Sequence, residues 1–330
     1  EQVGRQDNFF ELGGHSLLAV QFIARLNREL GTEIALRLVF AHPTVRALAS
    51  AIPESQALET HPNLVHIRAG DGGRPLFLVH EVSGEAVYMY TLTPWIDSQV
   101  PIYGLVVSER DRDDETKTTI QTMATRYVAA IRTVQPEGPY RIAGWSFGGT
   151  LAYEIAHQLV ASDALVESLF LLDTVALYRP ERAGTEPERE KTVCSADAEE
   201  CAIVMDVLAQ QIPNDVRDEL SGHAENGRLE SIVARLHALK LLAPEFNVEF
   251  IRPRLKTMRK LSAASDEYCP PSLPVKVTLF TALEEARKDL SIGWHSVLRQ
   301  DQLQIVEVPG THQSMMDEPH IRTLGLRMSE

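Results

Sequence analysis

The stretch 140–161 constrains the fold of this chain more than any other. A short apolar run leads through Gly-x-Ser-x-Gly, with Gly144, Ser146 and Gly148 at the fixed positions, directly into a helical pattern. A serine can stand on a sharp strand-to-helix turn only if its neighbours leave room for the backbone, and glycine has no side chain to collide there. A glycine-rich turn with a helix-capping serine is the alternative. The flanking patterns favour an exposed, nucleophilic Ser146 near the positive end of a helix.

Beyond residue 64, short apolar runs alternate with helical patterns. The runs predict strands, and a helix is predicted over 119–134. The strands are Leu64–Arg68 and Pro75–His80 around a glycine-rich turn, Ile102–Leu105, the run before Ser146, Leu169–Asp173, Val275–Phe280 and Leu303–Val308, with a helix-length segment between the last two. Apolar strands that alternate with helices predict a parallel sheet covered on both faces. We interpret this part of the chain as an α/β-hydrolase domain.

Residues 178–265 show no strand pattern. Helices are predicted over 198–212, 228–242 and 250–261. An insertion after a core strand predicts a helical lid over the active site, and a packed helical subdomain without gating is the alternative. No role is assigned to Cys194 or Cys201.

A serine nucleophile requires a base and an acid that orients the base. In an α/β-hydrolase the serine comes first in the chain, the Asp or Glu second and the His last. Asp173 ends the apolar strand that follows the Ser146 helix, at the carboxyl edge where sites assemble. Glu284, just past the strand over 275–280, is the rival acid. We prefer Asp173.

The base is predicted to be His312, which follows the last strand and a Pro309-Gly310 turn. His295 and His320 satisfy the chain order but lack that setting. His80 precedes the serine and is expected to border the site.

The oxyanion hole is predicted to combine the backbone N–H of Phe147 with an N–H from the loop after Val79. Val82 is our choice within that loop.

Residues 1–52 form a separate, helical region. A turn-rich loop over 7–16 precedes apolar residues at helical spacing up to Gly31, an apolar patch lies over 36–40, and a last helix begins near Pro43. This region holds five acidic and five basic residues, so the net charge of −14 belongs entirely to the rest of the chain. It is too short for a robust core by itself.

The ten residues Asn8-Phe9-Phe10-Glu11-Leu12-Gly13-Gly14-His15-Ser16-Leu17 resemble the attachment loop of peptidyl carrier domains in non-ribosomal peptide synthetases. That resemblance implies that Ser16 carries phosphopantetheine. Ser16 can also cap the helix that starts at Leu17, and the two roles are compatible. Carrier domains have four helices, and the one upstream of this loop is missing here, so we expect reduced stability.

Residues 53–63 are polar and bounded by prolines, which is typical of an interdomain linker. Fully extended, they reach roughly 36–40 Å. The expected domains are therefore a small all-α carrier domain at 1–52, with its first helix missing, and an α/β-hydrolase domain with a helical lid insertion at 64–330.

Residues 64–330 resemble the thioesterase domains that end non-ribosomal peptide synthetases. The resemblance rests on the motifs Pro75–His80, Gly144–Gly149, Leu171–Asp173 and Val308–His312. It implies that the acid lies at Asp173. Proline commonly follows the histidine of the oxyanion loop in that family, whereas this chain has Glu81, which makes the backbone and charge of the loop less certain.

The formal charge of −14 argues against nucleic acid or an anionic membrane as a partner. Three cysteines without metal-type spacing predict free thiols, no metal site and a cytoplasmic setting. The chain starts at Glu1, so we expect it to be part of a longer protein.

Together these patterns predict a release module. A peptide thioester on the phosphopantetheine of Ser16 would be transferred to Ser146, then released by hydrolysis or cyclisation. The resemblance implies upstream synthetase domains and a phosphopantetheinyl transferase as partners. One alternative is a stand-alone serine esterase, which the carrier motif disfavours. The other is a non-catalytic carrier-docking module, which the set Ser146, Asp173 and His312 disfavours.

Overall fold

The computed structural model describes residues 3–14, 16–30, 34, 37–55, 61–113, 117–176, 200–205, 214–225, 229–242 and 246–329. These residues fall into two compact units. One comprises the described parts of Glu1–Ala19, Ile34–Arg179 and Leu261–Glu330, and the other those of Val20–Glu33 and Pro180–Lys260.

A seven-stranded sheet forms the centre of the first unit, in the order β1-β3-β2-β4-β5-β6-β7. The strands are β1 (Leu64–Arg68), β2 (Leu76–Val79), β3 (Ile102–Leu105), β4 (Tyr140–Trp145), β5 (Val166–Leu172), β6 (Val277–Ala282) and β7 (Leu303–Val308). All neighbouring strands pair in parallel except β1, which runs antiparallel to β3. The prediction of a wholly parallel sheet is therefore wrong at this edge, because β1 and β2 flank their turn without pairing and both use β3 as partner.

The helices that lie wholly in this unit are α2 (Arg37–Ala41), α3 (Val45–Ser55), α4 (Val87–Leu92), α5 (Glu109–Asp113), α6 (Ile120–Val134), α7 (Phe147–Ala161) and α11 (His320–Ser329). Of these, α6 and α7 cover one face of the sheet, and α4 and α11 cover the other. Phe77 and Val79 belong to the core beneath α6 and α7, whereas Leu76 and Leu78 belong to the core beneath α4 and α11. Because successive side chains of a strand point to opposite faces, a fully apolar β2 is what a sheet covered on both sides requires.

The N-terminal residues of the first unit pack against α4 through aromatic rings. The ring centroids of Phe10 and Phe40 lie 5.1 Å apart, and those of Phe40 and Tyr90 lie 5.4 Å apart, both pairs stacked. The predicted apolar patch over 36–40 is the helix α2. Residues 53–55 of the predicted linker continue α3, and 56–60 lie outside the described residues.

The second unit is helical wherever it is described. Residues 200–205 are helical, and α8 (Asn214–Glu225), α9 (Leu229–Ala238) and α10 (Val248–Asp266) follow, with α10 ending in the first unit. Leu229, Ile232, Val233 and Leu236 are buried. The helices predicted over 228–242 and 250–261 are present, α8 was not predicted, and residues 206–212 and Cys194 lie outside the described residues. The helix α1 (Ser16–Leu30) has residues in both units.

The segment between β6 and β7 is not an α-helix, contrary to what its length suggested. Its described regular structure is a single 3₁₀ turn, Trp294–Ser296. The indole Nε1 of the buried Trp294 donates a hydrogen bond of 2.6 Å to the carbonyl of Thr174, which follows β5. This segment is therefore held by a long-range contact to the residue region just after the carboxyl end of β5, rather than by α-helical hydrogen bonds.

Candidate active site

Ser146 is the single residue between the end of β4 and the start of α7. Its backbone has φ 54° and ψ −122°, and its N–H donates a 2.9 Å hydrogen bond to the carbonyl of Leu172. Glycine is required on both sides of the turn. A Cβ at Gly144 would lie 2.1 Å from the carbonyl oxygen of Gly148, and one at Gly148 would lie 2.5 Å from that of Val79. The two glycines thus let the serine reach a conformation that side chains rarely adopt.

The structure brings the three predicted triad residues together. Ser146 Oγ lies 3.1 Å from Nε2 of His312, and Nδ1 of the same ring lies 2.6 Å from Oδ2 of Asp173. A carboxylate only accepts, so Nδ1 carries the proton and Nε2 is free to accept the hydrogen of the serine hydroxyl. The order nucleophile, base and orienting acid is the arrangement that serine hydrolases use.

The carboxylate of Asp173 is fully buried and receives four hydrogen bonds. Besides His312, its donors are the backbone N–H of Ala282 at 2.9 Å and the guanidinium of Arg287, with Nη1 2.5 Å from Oδ1 and Nη2 2.6 Å from Oδ2. Burial alone would raise the pKa of Asp173, but the hydrogen bonds from His312, Arg287 and Ala282 outweigh it and hold the pKa far below its usual value. Asp173 therefore stays ionised.

The rival acid and the rival bases lie elsewhere. Glu284 accepts a hydrogen bond from the backbone N–H of Gly310 at 3.2 Å. Nδ1 of His320 faces the carbonyl oxygen of Ser314 at 3.2 Å, and His295 is exposed in the 3₁₀ turn.

His80 is completely buried, so it lies beside the site, against Phe147, rather than on its surface. Its Nδ1 lies 2.5 Å from the carbonyl oxygen of Glu81 and its Nε2 lies 2.7 Å from the hydroxyl of Tyr127. Burial lowers the pKa of His80 to about 4, with a smaller opposing effect from the Glu81 carbonyl. The ring is therefore neutral near pH 7, and it stacks on the ring of Phe147 with centroids 5.7 Å apart.

Glu81 occupies the position where proline is common in related domains, and its side chain stabilises a turn in the loop. Its carboxylate accepts hydrogen bonds from the backbone N–H of Ser83 at 2.8 Å and from the Ser83 hydroxyl, and the N–H of Gly84 donates to the Glu81 carbonyl at 3.0 Å. Burial raises the pKa of Glu81, and the two Ser83 contacts partly oppose that rise. The loop that holds Val82 is thus closed on itself and joined to Phe147 through His80.

Ser16 is the first residue of α1. The preceding loop turns at Gly13, with φ 94°, and packs tightly at Gly14, where a Cβ would lie 2.4 Å from the carbonyl oxygen of Phe9. A hydroxyl at a helix N-terminus suits a phosphodiester, since free backbone N–H groups and the helix dipole favour an anion there. The residues present therefore fit a phosphopantetheine on Ser16.

Two residues around the site were not predicted from the sequence, Tyr127 and Arg287. Tyr127 lies on a buried face of α6, where an aromatic residue at helical spacing indicates only core packing. Arg287 contacts Asp173 across 114 positions of sequence. An arginine just beyond the carboxyl end of a strand was the one available signal.

The described residues hold neither a metal-type cluster nor a helix suited to a membrane. No cluster of three or more His, Cys, Asp or Glu side chains there is arranged to hold a metal ion. No helix there combines the length and apolar character that crossing a bilayer requires.

The fold and the site define the class of this protein: an α/β-hydrolase with a serine, histidine and aspartate in line. The chain belongs to the thioesterase domain family, whose model matches residues 74–324, and the phosphopantetheine attachment site model matches residues 1–52. It is thus a carrier domain followed by a thioesterase domain.

The chain is similar to parts of several large synthetases and synthases. The dimodular nonribosomal peptide synthase of Bacillus subtilis (strain 168) is 38% identical over 172 residues, and the indigoidine synthase of Dickeya dadantii (strain 3937) is 34% identical over 172 residues. Each match covers 52% of this chain, and the chain spans 7% and 12% of those two proteins.

Solved structures give the same picture. Holo-AB3403, a four-domain nonribosomal peptide synthetase bound to AMP and glycine, matches 99% of this chain and 24% of its own, with TM-score 0.68 and 26% identity. The NocB thioesterase domain in covalent complex with a fluorophosphonate nocardicin G analogue matches 78% of this chain and 95% of its own, with TM-score 0.52 and 26% identity.

Proposed function

We propose that this chain releases a peptide held as a thioester on the carrier domain, through an acyl-enzyme on Ser146. The observation that carries the proposal is the continuous line of hydrogen bonds from Ser146 Oγ through His312 to the buried carboxylate of Asp173. The family match of residues 1–52 supports Ser16 as the attachment site, where phosphopantetheine would present the peptide as a thioester on a flexible arm.

In the first half-reaction, Ser146 Oγ attacks the thioester carbonyl while His312 Nε2 accepts the hydroxyl proton. Asp173 stabilises the imidazolium that forms. The negative charge on the tetrahedral intermediate is stabilised by the backbone N–H groups of Phe147 and Val82. Collapse breaks the carbon–sulfur bond, His312 returns its proton to the departing thiolate, and the acyl group remains as an ester on Ser146.

In the second half-reaction, a new nucleophile attacks that ester. His312 takes the proton from water, which gives a linear acid, or from an amine or hydroxyl of the peptide itself, which gives a ring. Ser146 leaves with the proton from His312. Both outcomes use the same protein groups, so the geometry of the bound peptide decides between them.

The proposal assigns two partners outside these residues. Synthetase domains that precede the carrier in sequence would assemble the peptide, and the synthetase relatives support this. A phosphopantetheinyl transferase would modify Ser16, which is the first residue of α1.

The test is to trap the acyl-enzyme. The chain is mixed with a soluble acyl thioester, quenched in acid within one turnover, and mapped by peptide mass spectrometry. The acyl mass should appear on the peptide that contains Ser146 and be absent from Ser146→Ala. Ser162→Ala, at the exposed end of α7, is the matched control and should be labelled like the wild type. An acyl group on another residue, or turnover without any acyl-enzyme, contradicts the proposal.

A further inference from the structure

The short segment 283–287, directly after β6, contacts both the base and the acid of the site. Four backbone N–H groups join it to the end of β7 and the loop that leads to His312, one of them the Gly310 N–H bound to Glu284. Leu283 donates to the Val308 carbonyl at 2.8 Å, Glu284 donates to the Gly310 carbonyl at 3.0 Å, and His312 donates to Glu285 Oε1 at 2.9 Å. The position of the histidine backbone therefore depends on this segment.

Arg287 ends the segment and lies against the acid. Its two terminal nitrogens bond the two oxygens of Asp173 at 2.5 and 2.6 Å, and its side chain is only 18% exposed. A bidentate guanidinium fixes the plane of a carboxylate, which a single donor does not. Oδ2 is shared between Arg287 and His312, so the same plane sets the direction in which Asp173 meets the imidazole.

The charge of Arg287 acts on the site in a second way. In the usual triad the buried carboxylate stabilises the imidazolium with its full negative charge. A guanidinium paired to that carboxylate offsets part of this charge, so less of it is left to stabilise the imidazolium formed during the reaction. Besides Ser146 and the backbone N–H of Ala282, the described groups beside this pair include the ring of Trp145, 5.4 Å from the His312 ring, and Glu285, whose carboxylate is bound to the backbone of His312. Arg287 is the cation among them.

We propose that Arg287 is a positioning residue of the triad, which fixes the Asp173 carboxylate for His312 and offsets part of its charge. The consequence is a carboxylate whose plane and charge at the imidazole both depend on Arg287. This inference deepens the proposed function and rests on it. Arg287 acts through Asp173, so it should change kcat and the pH profile while leaving KM for a small thioester unchanged.

The test compares pH profiles of kcat/KM for a soluble acyl thioester. Arg287→Gln removes the charge, so the acid limb should move to higher pH by about 0.5–1 unit, and kcat should fall about 10-fold. Arg287→Lys keeps the positive charge but loses the bidentate geometry of the guanidinium. The acid limb of the pH profile should therefore stay within about 0.2 pH unit of wild type, while kcat falls about 3–10-fold. Arg74→Gln, which breaks an exposed pair with Glu167, is the control and should leave both unchanged.

Labelling of Ser146 by a fluorophosphonate separates failure of this inference from failure of the proposed function. If the wild type is not labelled at Ser146, the proposed function fails. If the wild type is labelled but Arg287→Gln keeps the wild-type acid limb, only the role of Arg287 is overturned, even where kcat falls. Should Arg287→Gln not fold, Arg287→Lys decides, and a kcat within about twofold of wild type overturns the inference.

Discussion

Glu284 Oε1 accepts a hydrogen bond from the backbone N–H of Gly310 at 3.2 Å, and the N–H of Glu284 donates to the carbonyl of the same glycine at 3.0 Å. This reciprocal contact binds the Glu284 carboxylate to the loop that precedes His312, and not to the imidazole ring of His312. The ring instead meets Asp173. The two acidic residues that the sequence offers thus differ in what they touch.

Asp173→Asn should lower kcat by about 10³–10⁴-fold, because it removes the charge that orients His312 and stabilises its protonated form. Glu284→Gln keeps an acceptor for the Gly310 N–H and should change kcat less than about threefold. Steady-state hydrolysis of a soluble thioester measures both. The reverse pattern would place the acid on the later strand.

Ser146→Ala and His312→Ala should each lower kcat by about 10⁴-fold or more, and the double variant should lose little beyond either single one, because the residues act as a unit. Single-turnover kinetics with a soluble thioester give the comparison. Additive losses, or a single variant with near-wild-type turnover, would show that one of the two lies outside the reaction.

Ser16→Ala should abolish release of a carrier-bound peptide and leave hydrolysis of a soluble thioester nearly unchanged, since the proposed triad lies wholly within residues 64–330. Ser146→Ala should still accept phosphopantetheine and accumulate the peptidyl thioester on the carrier. Intact-protein mass spectrometry reads both states as mass increments. The division of roles is refuted if Ser16→Ala gains the phosphopantetheine mass or loses activity on the soluble substrate.

Removing His80 should flatten the dependence of stability on pH. The pKa of His80 is about 4 in the folded protein, below its ordinary value of about 6.5. Between these values the unfolded chain binds a proton that the folded protein does not, so stability falls as pH falls through this window. From pH 7 to 5 the wild type should lose about 2 kcal/mol more unfolding free energy than His80→Gln.

Urea unfolding at the two pH values measures this difference. Tyr127→Phe is the companion variant, since it removes the hydroxyl that faces Nε2 and leaves the histidine in place. It should cost about 1–3 kcal/mol at pH 7 and retain most of the pH dependence. A slope in His80→Gln equal to that of the wild type would mean that another group titrates.

All seven strands, with small differences in their bounds, and the three residues proposed as the triad could be predicted because each carries a local signal. Ser146 lies in a glycine-flanked turn, and Asp173 and His312 each follow an apolar strand. The antiparallel direction of β1 carried no such signal, because it depends on which strand becomes its partner. The helix α8 was missed because its composition is strongly polar, with few apolar residues at helical spacing.

Arg287 escaped prediction for a different reason. Its contact with Asp173 is made only when β5 and β6 pair and bring their carboxyl ends together. Its position just beyond the carboxyl end of a strand is the one local signal, and a solvated surface arginine can share that position. Sequence reasoning locates groups at the ends of strands, whereas the pairing of one such group with another is decided by the fold.

Ser146→Gly should unfold at a higher urea concentration than Ser146→Ala. Ser146 holds φ 54°, a region in which any residue with a Cβ costs on the order of 1–3 kcal/mol and glycine costs little. Both variants lack the hydroxyl, so the comparison isolates the backbone. Equal midpoints would show that the surrounding structure does not strain this residue.

Asp173 shares this backbone condition, with φ 46°, so two of the three proposed triad residues occupy it. At Asp173 the buried hydrogen bonds to Arg287, Ala282 and His312 oppose any gain from a change to glycine. At Ser146 no such buried ion pair is lost, so glycine would destroy the chemistry and relieve the backbone strain together. In a duplicated copy of this module whose product no longer matters, glycine at position 146 would therefore be favoured by the backbone alone.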